Sequence, residues 1–274
     1  MPATLLATRR VEKPWGRHNL WPGFPDPAPA GEPVGEVWFQ TPGDDNPDLL
    51  IKYLFTSEKL SVQVHPDDAA ARKAGYPRGK DEAWLILAAE PDSTIALGTR
   101  RPVGREELRE AALDGSIEEL LDWKPVKAGD FYYSPAGTVH AIGAGITLIE
   151  VQQNVDLTYR LYDYGRPREL HLDAGLAVSV GTPFVAQAAP GKVSPDRTIL
   201  AEGPKFVLER WPAGHRKVTL PDGLTGWLVP VTGEGVADGV AFRAGECATV
   251  TGTAEIEIAE GGDVLFAYPG DERI

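Results

Sequence analysis

Five histidines stand in the 274-residue chain, at positions 18, 65, 140, 171 and 215, and two of them occupy settings that aim an imidazole. His65 ends the run Ser61-Val62-Gln63-Val64-His65, which reads as a strand. Residues two apart on a strand face the same side, so Gln63 and His65 point together. His140 closes Gly129, five residues, Pro135, one residue, Gly137, two residues, His140, and so opens a strand directly after a rigid Pro-Gly turn. Asp156 and Arg160 lie four apart in Asn154-Val155-Asp156-Leu157-Thr158-Tyr159-Arg160, which would place them on one face if the run is extended. Lys80 precedes Glu82 by two and shares its face on the same argument. The single cysteine, Cys247, has no neighbouring His or Lys and reads as a buried structural thiol. It also excludes an intrachain disulfide framework and makes a reducing, cytoplasmic setting the default.

The elements that must position these residues are mostly strands. Gly (30) and Pro (24) punctuate many short β-branched and aromatic runs, which argues for a mainly β protein. Strands are expected at 36–40, 49–55, 61–65, 83–88, 94–98, 130–134, 145–152 and 158–162. Short helices are expected near 67–73, capped by Asp67, and near 104–121, where Leu108, Ala111, Ala112, Ile117, Leu120 and Leu121 recur at helical spacing. The small, polar, Pro-bearing stretch 183–196 suits a linker between a first domain, 1–182, and a second, smaller β module, 197–274. The second module is expected to carry strands at 205–211, 226–231, 246–250, 253–258 and 264–268. Its segment Gly245-Glu246-Cys247-Ala248-Thr249-Val250-Thr251-Gly252 has the rhythm of a barrel turn without Pro or His, so no metal is expected there.

The spacing that ends in His140 resembles the second motif of the cupin superfamily, whose fold is a jelly-roll barrel. The first cupin motif would supply a His-x-His pair; here the pair is Gln63-x-His65, with Glu82 the nearest suitable carboxylate. That departure narrows the resemblance. LLIKYLFTSEKLSVQVHPDDAAA, GKDEAWLIL and AGTVHAIGAGITLIEVQQNVDLTYRLYDYGR are similar, in order, to type I mannose-6-phosphate isomerases, especially the short bacterial form, over roughly residues 13–175. The resemblance implies a bicupin-like architecture: a cupin barrel with a short helical insertion plus the smaller β module. It implies one zinc ion per chain, on Gln63, His65, Glu82 and His140. Two neutral imidazoles and a carboxylate suit zinc, with an amide oxygen as a weak fourth donor, and one anionic ligand leaves the ion net positive. His18 and His171 lie near matched segments, but nothing ties them to the metal.

The implied reaction interconverts mannose 6-phosphate and fructose 6-phosphate through an enediol, which needs a base near C1 and C2 and positive charge for the developing enediolate. By position, Lys80, Asp156 and Arg160 match residues proposed as catalytic in that family, Lys80 and Asp156 for proton transfer and Arg160 for charge stabilisation or orientation. Ser61 and Lys52 match polar positions of the motif-bearing strands and are candidate substrate contacts; Lys52, between Ile51 and Tyr53, could point either way. A cupin metal oxygenase and a non-catalytic sugar-binding or regulatory cupin are the competing readings.

Composition bounds the partners. The net charge of −13 opposes non-specific nucleic-acid binding, which needs clustered cations. No run approaches the ~20 apolar residues of a membrane-spanning helix, and the N-terminal stretch carries no apolar segment of signal-peptide length. The last 43 residues hold nine acidic and two basic groups and lie outside every matched motif, so the acidity reads as a surface property around a locally positive site for a small sugar phosphate. No glycine-rich phosphate loop opens a helix, which leaves nucleotide chemistry without support. Oligomeric state is not legible.

Overall fold

The computed structural model of the protein describes residues 3–21, 23–43, 46–187 and 190–274. Its layering follows from the strand Leu49–Phe55, LLIKYLF, in which every residue is buried. Alternate side chains serve two cores. Leu49, Ile51, Tyr53 and Phe55 join Val37, Phe39, Leu85 and Val151 on one face, whereas Leu54 joins Trp15, Trp84, Ile86 and Leu148 on the other. A strand buried on both sides shows no polar alternation, which is why the direction of Lys52 is ambiguous in the sequence.

This strand lies in a six-stranded antiparallel sheet ordered Ala7–Arg17, Val34–Gln40, Leu49–Phe55, Ile146–Gln153, Glu82–Ala89, Phe131–Ser134. Facing it is a five-stranded sheet ordered Tyr159–Tyr162, Val62–Val64, His140–Ile142, Thr94–Thr99, Leu121–Pro125. The two sheets enclose the core around Trp84 and Leu97 and form the expected jelly roll. Helices Arg105–Asp114, Ile117–Leu120 and Leu172–Val178 cover the outer side of the five-stranded sheet, packing Leu108, Ala111, Ile117 and Leu176 against Val62, Val64 and Ala141. The helix Asp68–Lys73 starts where Asp67 accepts a hydrogen bond from the Ala70 amide, as the sequence indicates. The helix Leu172–Val178 is not legible in the sequence. Its Gly175 weakens the local pattern, yet a Cβ there would come within 2.6 Å of Leu161 Cδ2 and 3.2 Å of Tyr159 Cβ, so a larger residue would force the buried Leu161 side chain to shift.

The outer side of the six-stranded sheet packs on a nine-stranded sheet built mainly from the C-terminal residues; Phe206, Leu208, Trp227 and Leu265 share one core with Tyr53 and Val151. A second core around Trp211, Phe242, Ile256 and Phe266 fills that module itself. The runs expected as two strands at 253–258 and 264–268 form one long strand, Thr253–Pro269, paired to Phe206–Thr219 across a register shift at Pro212 and Gly214. The N-terminal strand Ala3–Leu5 pairs with Ala248–Thr251 of this sheet. Within the stretch 183–196, residues 188 and 189 lie outside the described residues, and Gly191–Ser194 forms a strand paired to Arg197–Glu202. Among the described residues no helix is long and apolar enough to cross a membrane.

Candidate metal centre

Strand register assembles one wall of the site. In the five-stranded sheet Gln63 is the direct antiparallel partner of His140 on one side and of Arg160 on the other. Directly opposed residues share a face, so these three side chains enter the barrel together, and His65 follows two positions after Gln63. Glu82 begins its strand in the opposite sheet, with Ser134 and Gln152 as register partners, and reaches the same point from across the barrel. His65 Nε2 lies 3.3 Å from Glu82 Oε1, and His140 Nε2 lies 3.6 Å from Oε2. Donors about 2.0–2.1 Å from one ion in a tetrahedron stand about 3.3 Å apart, so this spacing is that of a common centre.

The outer contacts of the imidazoles aim them. His65 Nδ1 bonds the Leu157 carbonyl at 3.0 Å, and His140 Nδ1 bonds the Thr138 carbonyl at 2.9 Å. A carbonyl only accepts, so both protons sit on Nδ1 and both Nε2 lone pairs face the cluster. Trp84 packs edge-on against His140, with ring centroids 5.3 Å apart. Neither buried oxygen of Glu82 accepts an aligned hydrogen bond, although the Lys80 ammonium forms an ion pair with Oε1 at 2.7 Å. A buried carboxylate facing two imidazole lone pairs fits a divalent cation, with the Lys80 ammonium beside it at 2.7 Å from Glu82 Oε1 and 3.3 Å from His65 Nε2. His65, Glu82 and His140 form the cluster that could hold a metal ion among the described residues. Gln63 stands beside it, its Nε2 3.2 Å from His140 Nε2 and its Oε1 accepting from Ser61 Oγ at 3.2 Å. A half-turn of the amide exchanges those ends and presents the carbonyl oxygen to the cluster.

Electrostatics keep this set in its ligating protonation states. Burial, reinforced by the Lys80 charge, pushes His65 down to about 3, and burial also lowers His140. Burial alone would raise Glu82, but Lys80 and the imidazoles reverse it and hold the carboxyl well below its usual range. An unfolded histidine titrates near 6.5. Between that value and about 3 the unfolded chain therefore binds more protons than the folded one, so the stability His65 allows is complete above about 6.5 and is lost as pH falls. Glu82 acts in the same direction below its unfolded value. Urea unfolding of the chelator-treated protein should show stability declining from pH 7 to pH 4, by up to about 1.4 kcal/mol per pH unit for each histidine. A flat profile over that range would contradict the buried, neutral state of His65.

The loop before Glu82 is held from several directions. Asp81 accepts from Tyr133 Oη at 2.6 Å and from the Ala136 amide at 3.0 Å, and exchanges two backbone-directed bonds with Gln153, each 3.1 Å. Asp68 Oδ1 accepts from the Gly79 amide (2.8 Å) and from Gln153 Nε2 (3.1 Å), while Lys205 of the C-terminal module binds Oδ2 at 2.6 Å. A Cβ at Gly79 would lie 2.5–2.6 Å from the backbone of 66–68, so only glycine lets the loop pass this close.

Above the cluster opens a cleft of about 400 Å³ lined by Ser61, Lys80, Asp156, Arg160, Arg168 and His171, among others. Lys52 also lines it. Register settles its direction: Lys52 opposes Trp38 and Glu150, and its ammonium lies 3.1 Å from Glu150, 3.5 Å from Glu36 and 4.9 Å from the Trp38 ring centroid. Burial would lower its pKa, but the two carboxylates raise it instead. Glu150, raised mainly by burial and then by the Glu82 charge, and Glu36 are pocket carboxylates that sequence reasoning missed, because only cross-strand register brings them to Lys52. Asp156 and Arg160 do share the cleft, but not through one strand. The strand begins only at Tyr159, and exposed Asp156 precedes it in irregular chain. Arg160 donates Nη1 to the Glu169 carbonyl at 2.8 Å, its Nε is buried without a partner, and burial followed by the Arg168 charge lowers its pKa.

No family model matches the chain. Mannose-6-phosphate isomerase of Streptococcus mutans is 41% identical over 173 residues, 60% of this chain and 54% of that protein. Mannose-6-phosphate isomerase ManA of Bacillus subtilis is 46% identical over 146 residues, 51% of this chain and 46% of that protein. The chain thus spans about half the length of these relatives. The crystal structure of a mannose 6-phosphate isomerase from Bacillus subtilis superposes with a TM-score of 0.82 at 25% identity, over 97% of this chain and 99% of that one. With the jelly roll and the buried His-Glu-His cluster already in place, the chain is similar in sequence and in fold to mannose-6-phosphate isomerases.

Proposed function

We propose that the protein is a zinc-dependent aldose-ketose isomerase that interconverts mannose 6-phosphate and fructose 6-phosphate through an enediol. The observation that carries this reading is the convergence of His65, Glu82 and His140 next to a cleft that Gln63 and Glu82 line together with Lys80, Asp156 and Arg160. Gln63, His65, Glu82 and His140 would hold the ion, which when bound supplies Lewis-acid polarisation of a sugar oxygen or water. Two neutral imidazoles and one carboxylate form a donor set that zinc accepts.

The remaining steps belong to the chain. Lys80 and Asp156 sit on different walls of the cleft and serve as the proton-transfer pair, one at the carbon-bound proton and the other at the oxygens. Arg160 stays charged at the rim and stabilises the enediolate. Ser61 and Lys52 contact sugar hydroxyls, Lys52 from a position rigidly fixed by Glu36 and Glu150. Catalysis resides in 1–182, while the module 197–274, joined through 183–196, buries the outer face of the barrel and steadies the Glu82 loop through Lys205. The substrate partner is thus a small sugar phosphate.

The test is to quantify bound metal and follow fructose 6-phosphate formation from mannose 6-phosphate in the purified protein, after chelation, and after zinc is returned. Activity should track zinc occupancy. Absence of turnover at full zinc loading would sink the assignment.

A further inference from the structure

We infer that His171 is a substrate-binding residue that donates a hydrogen bond to the phosphate of the sugar phosphate while fixing the backbone of Arg160. The inference rests on the isomerase reading for the identity of the ligand, but its geometry is independent of it. The Arg160 amide donates to His171 Nδ1 at 3.2 Å, and the His171 amide donates to the Arg160 carbonyl at 2.7 Å. Because Nδ1 accepts, the ring is neutral with its proton on Nε2. That N–H has no protein partner among the described residues, and the residue lines the cleft beside Arg160 and Arg168.

Charge pairing decides which end of the cleft takes the anion. Lys13 lies 3.4 Å from Glu36, Lys52 is held by Glu36 and Glu150, and Lys80 by Glu82, so the three lysines meet three carboxylates and leave no excess. At the other end Arg166 pairs with Glu58 and Asp163, Arg168 with Asp163 through two bonds of 2.6 Å, and among the described residues Arg160 has no carboxylate within ion-pair distance, so three guanidiniums meet two carboxylates. Arg160 also carries the orphaned Nε. A phosphate settles where positive charge is in excess and a donor is unpaired, namely against His171 Nε2 and Arg168, with Arg160 between it and the metal ligands. Gln63, Arg160 and His171 are successive hydrogen-bonded neighbours, about 4.8 Å per step, so this end stands about 10 Å from the metal ligands, within the span of a phosphorylated hexose.

His171→Asn separates the two functions, because the Asn Oδ1 can still accept from the Arg160 amide while the Nε2 donor is deleted. With zinc loaded, calorimetric titration with inorganic phosphate should show affinity reduced about tenfold, and KM for fructose 6-phosphate should rise about tenfold, with kcat nearly kept. His171→Ala should lose kcat as well, since Arg160 is then released. Metal content should match the parent in both. In the parent, the ¹⁵N resonance of His171 Nε2 should report the Nε2–H tautomer and move on phosphate addition; this arm needs no variant to fold. Parent-like phosphate affinity and KM in His171→Asn, or a ring resonance that ignores phosphate, would overturn the inference. A protein that binds phosphate through His171 yet isomerises nothing would overturn the isomerase reading and leave this one standing.

Discussion

Glu82→Gln removes the only anionic donor from the metal cluster, and the expected result is joint loss of metal and turnover. Metal affinity should fall at least about a hundredfold, because changes even to partners outside the ligand shell cost ten- to a hundredfold. The substitution has a second effect that must be separated. Lys80 pairs with this carboxylate inside the protein, at 2.7 Å, so neutralising Glu82 leaves a buried ammonium without a counter-charge. Breaking such a pair costs about 3–5 kcal/mol. The comparison is therefore made twice: unfolding of parent and variant in chelator gives the cost of the orphaned lysine, and zinc titration of the folded fraction gives the cost to the site. A variant that kept parent-like zinc affinity would show that Glu82 is not a ligand.

Arg160→Ala should behave oppositely, keeping the metal and losing turnover. The guanidinium donates to the Glu169 carbonyl, and among the described residues it has no carboxylate within ion-pair distance whose charge would be stranded by truncation. Stability should change by less than about 1 kcal/mol, within the range for surface and half-buried positions. If Arg160 stabilises the enediolate, kcat should fall about 10²–10³-fold, the cost of removing one preorganised donor from a developing oxyanion. Arg160→Lys should restore little, since an ammonium reproduces neither the fork geometry nor the position of Nε. Wild-type kcat in Arg160→Ala at equal zinc content would remove Arg160 from the chemistry.

The two variants also show why the site divides into a part readable from local sequence and a part that is not. His65 and His140 were legible because their aim is set within a few residues: a two-residue period on one strand, and a Pro-Gly turn whose Gly137 adopts φ 87 just before the other. Helix 68–73 and strand 49–55 were legible for the same reason, a cap and a run that is apolar but for Lys52. Glu82 was placed through family resemblance, not by spacing, since it enters from the opposite sheet. The Arg160 strand, expected at 158–162, forms at Tyr159–Tyr162, but the run back to Asp156 makes no ladder, because the Asn154 and Val155 amides are taken by Asp48 and Gln153 carbonyls.

His171 had no local signal at all. It follows a charged, turn-rich stretch and precedes a helix weakened by Gly175, and its role appears only when the chain folds back so that its backbone and ring close on Arg160. The same holds for Lys205, whose contact with Asp68 spans the two modules.

By itself the sequence determined the mainly β architecture, the two imidazoles and their turn, and the exclusion of thiolate ligands, because period, capping and residue chemistry act over short range. Tertiary structure alone decided that Lys52 points inward onto Glu36 and Glu150, that Asp156 reaches the cleft from irregular chain, and that the first strand completes the C-terminal sheet. Those outcomes depend on register between strands distant in sequence and on burial of both faces of one sheet, which erases the alternation from which direction could have been read.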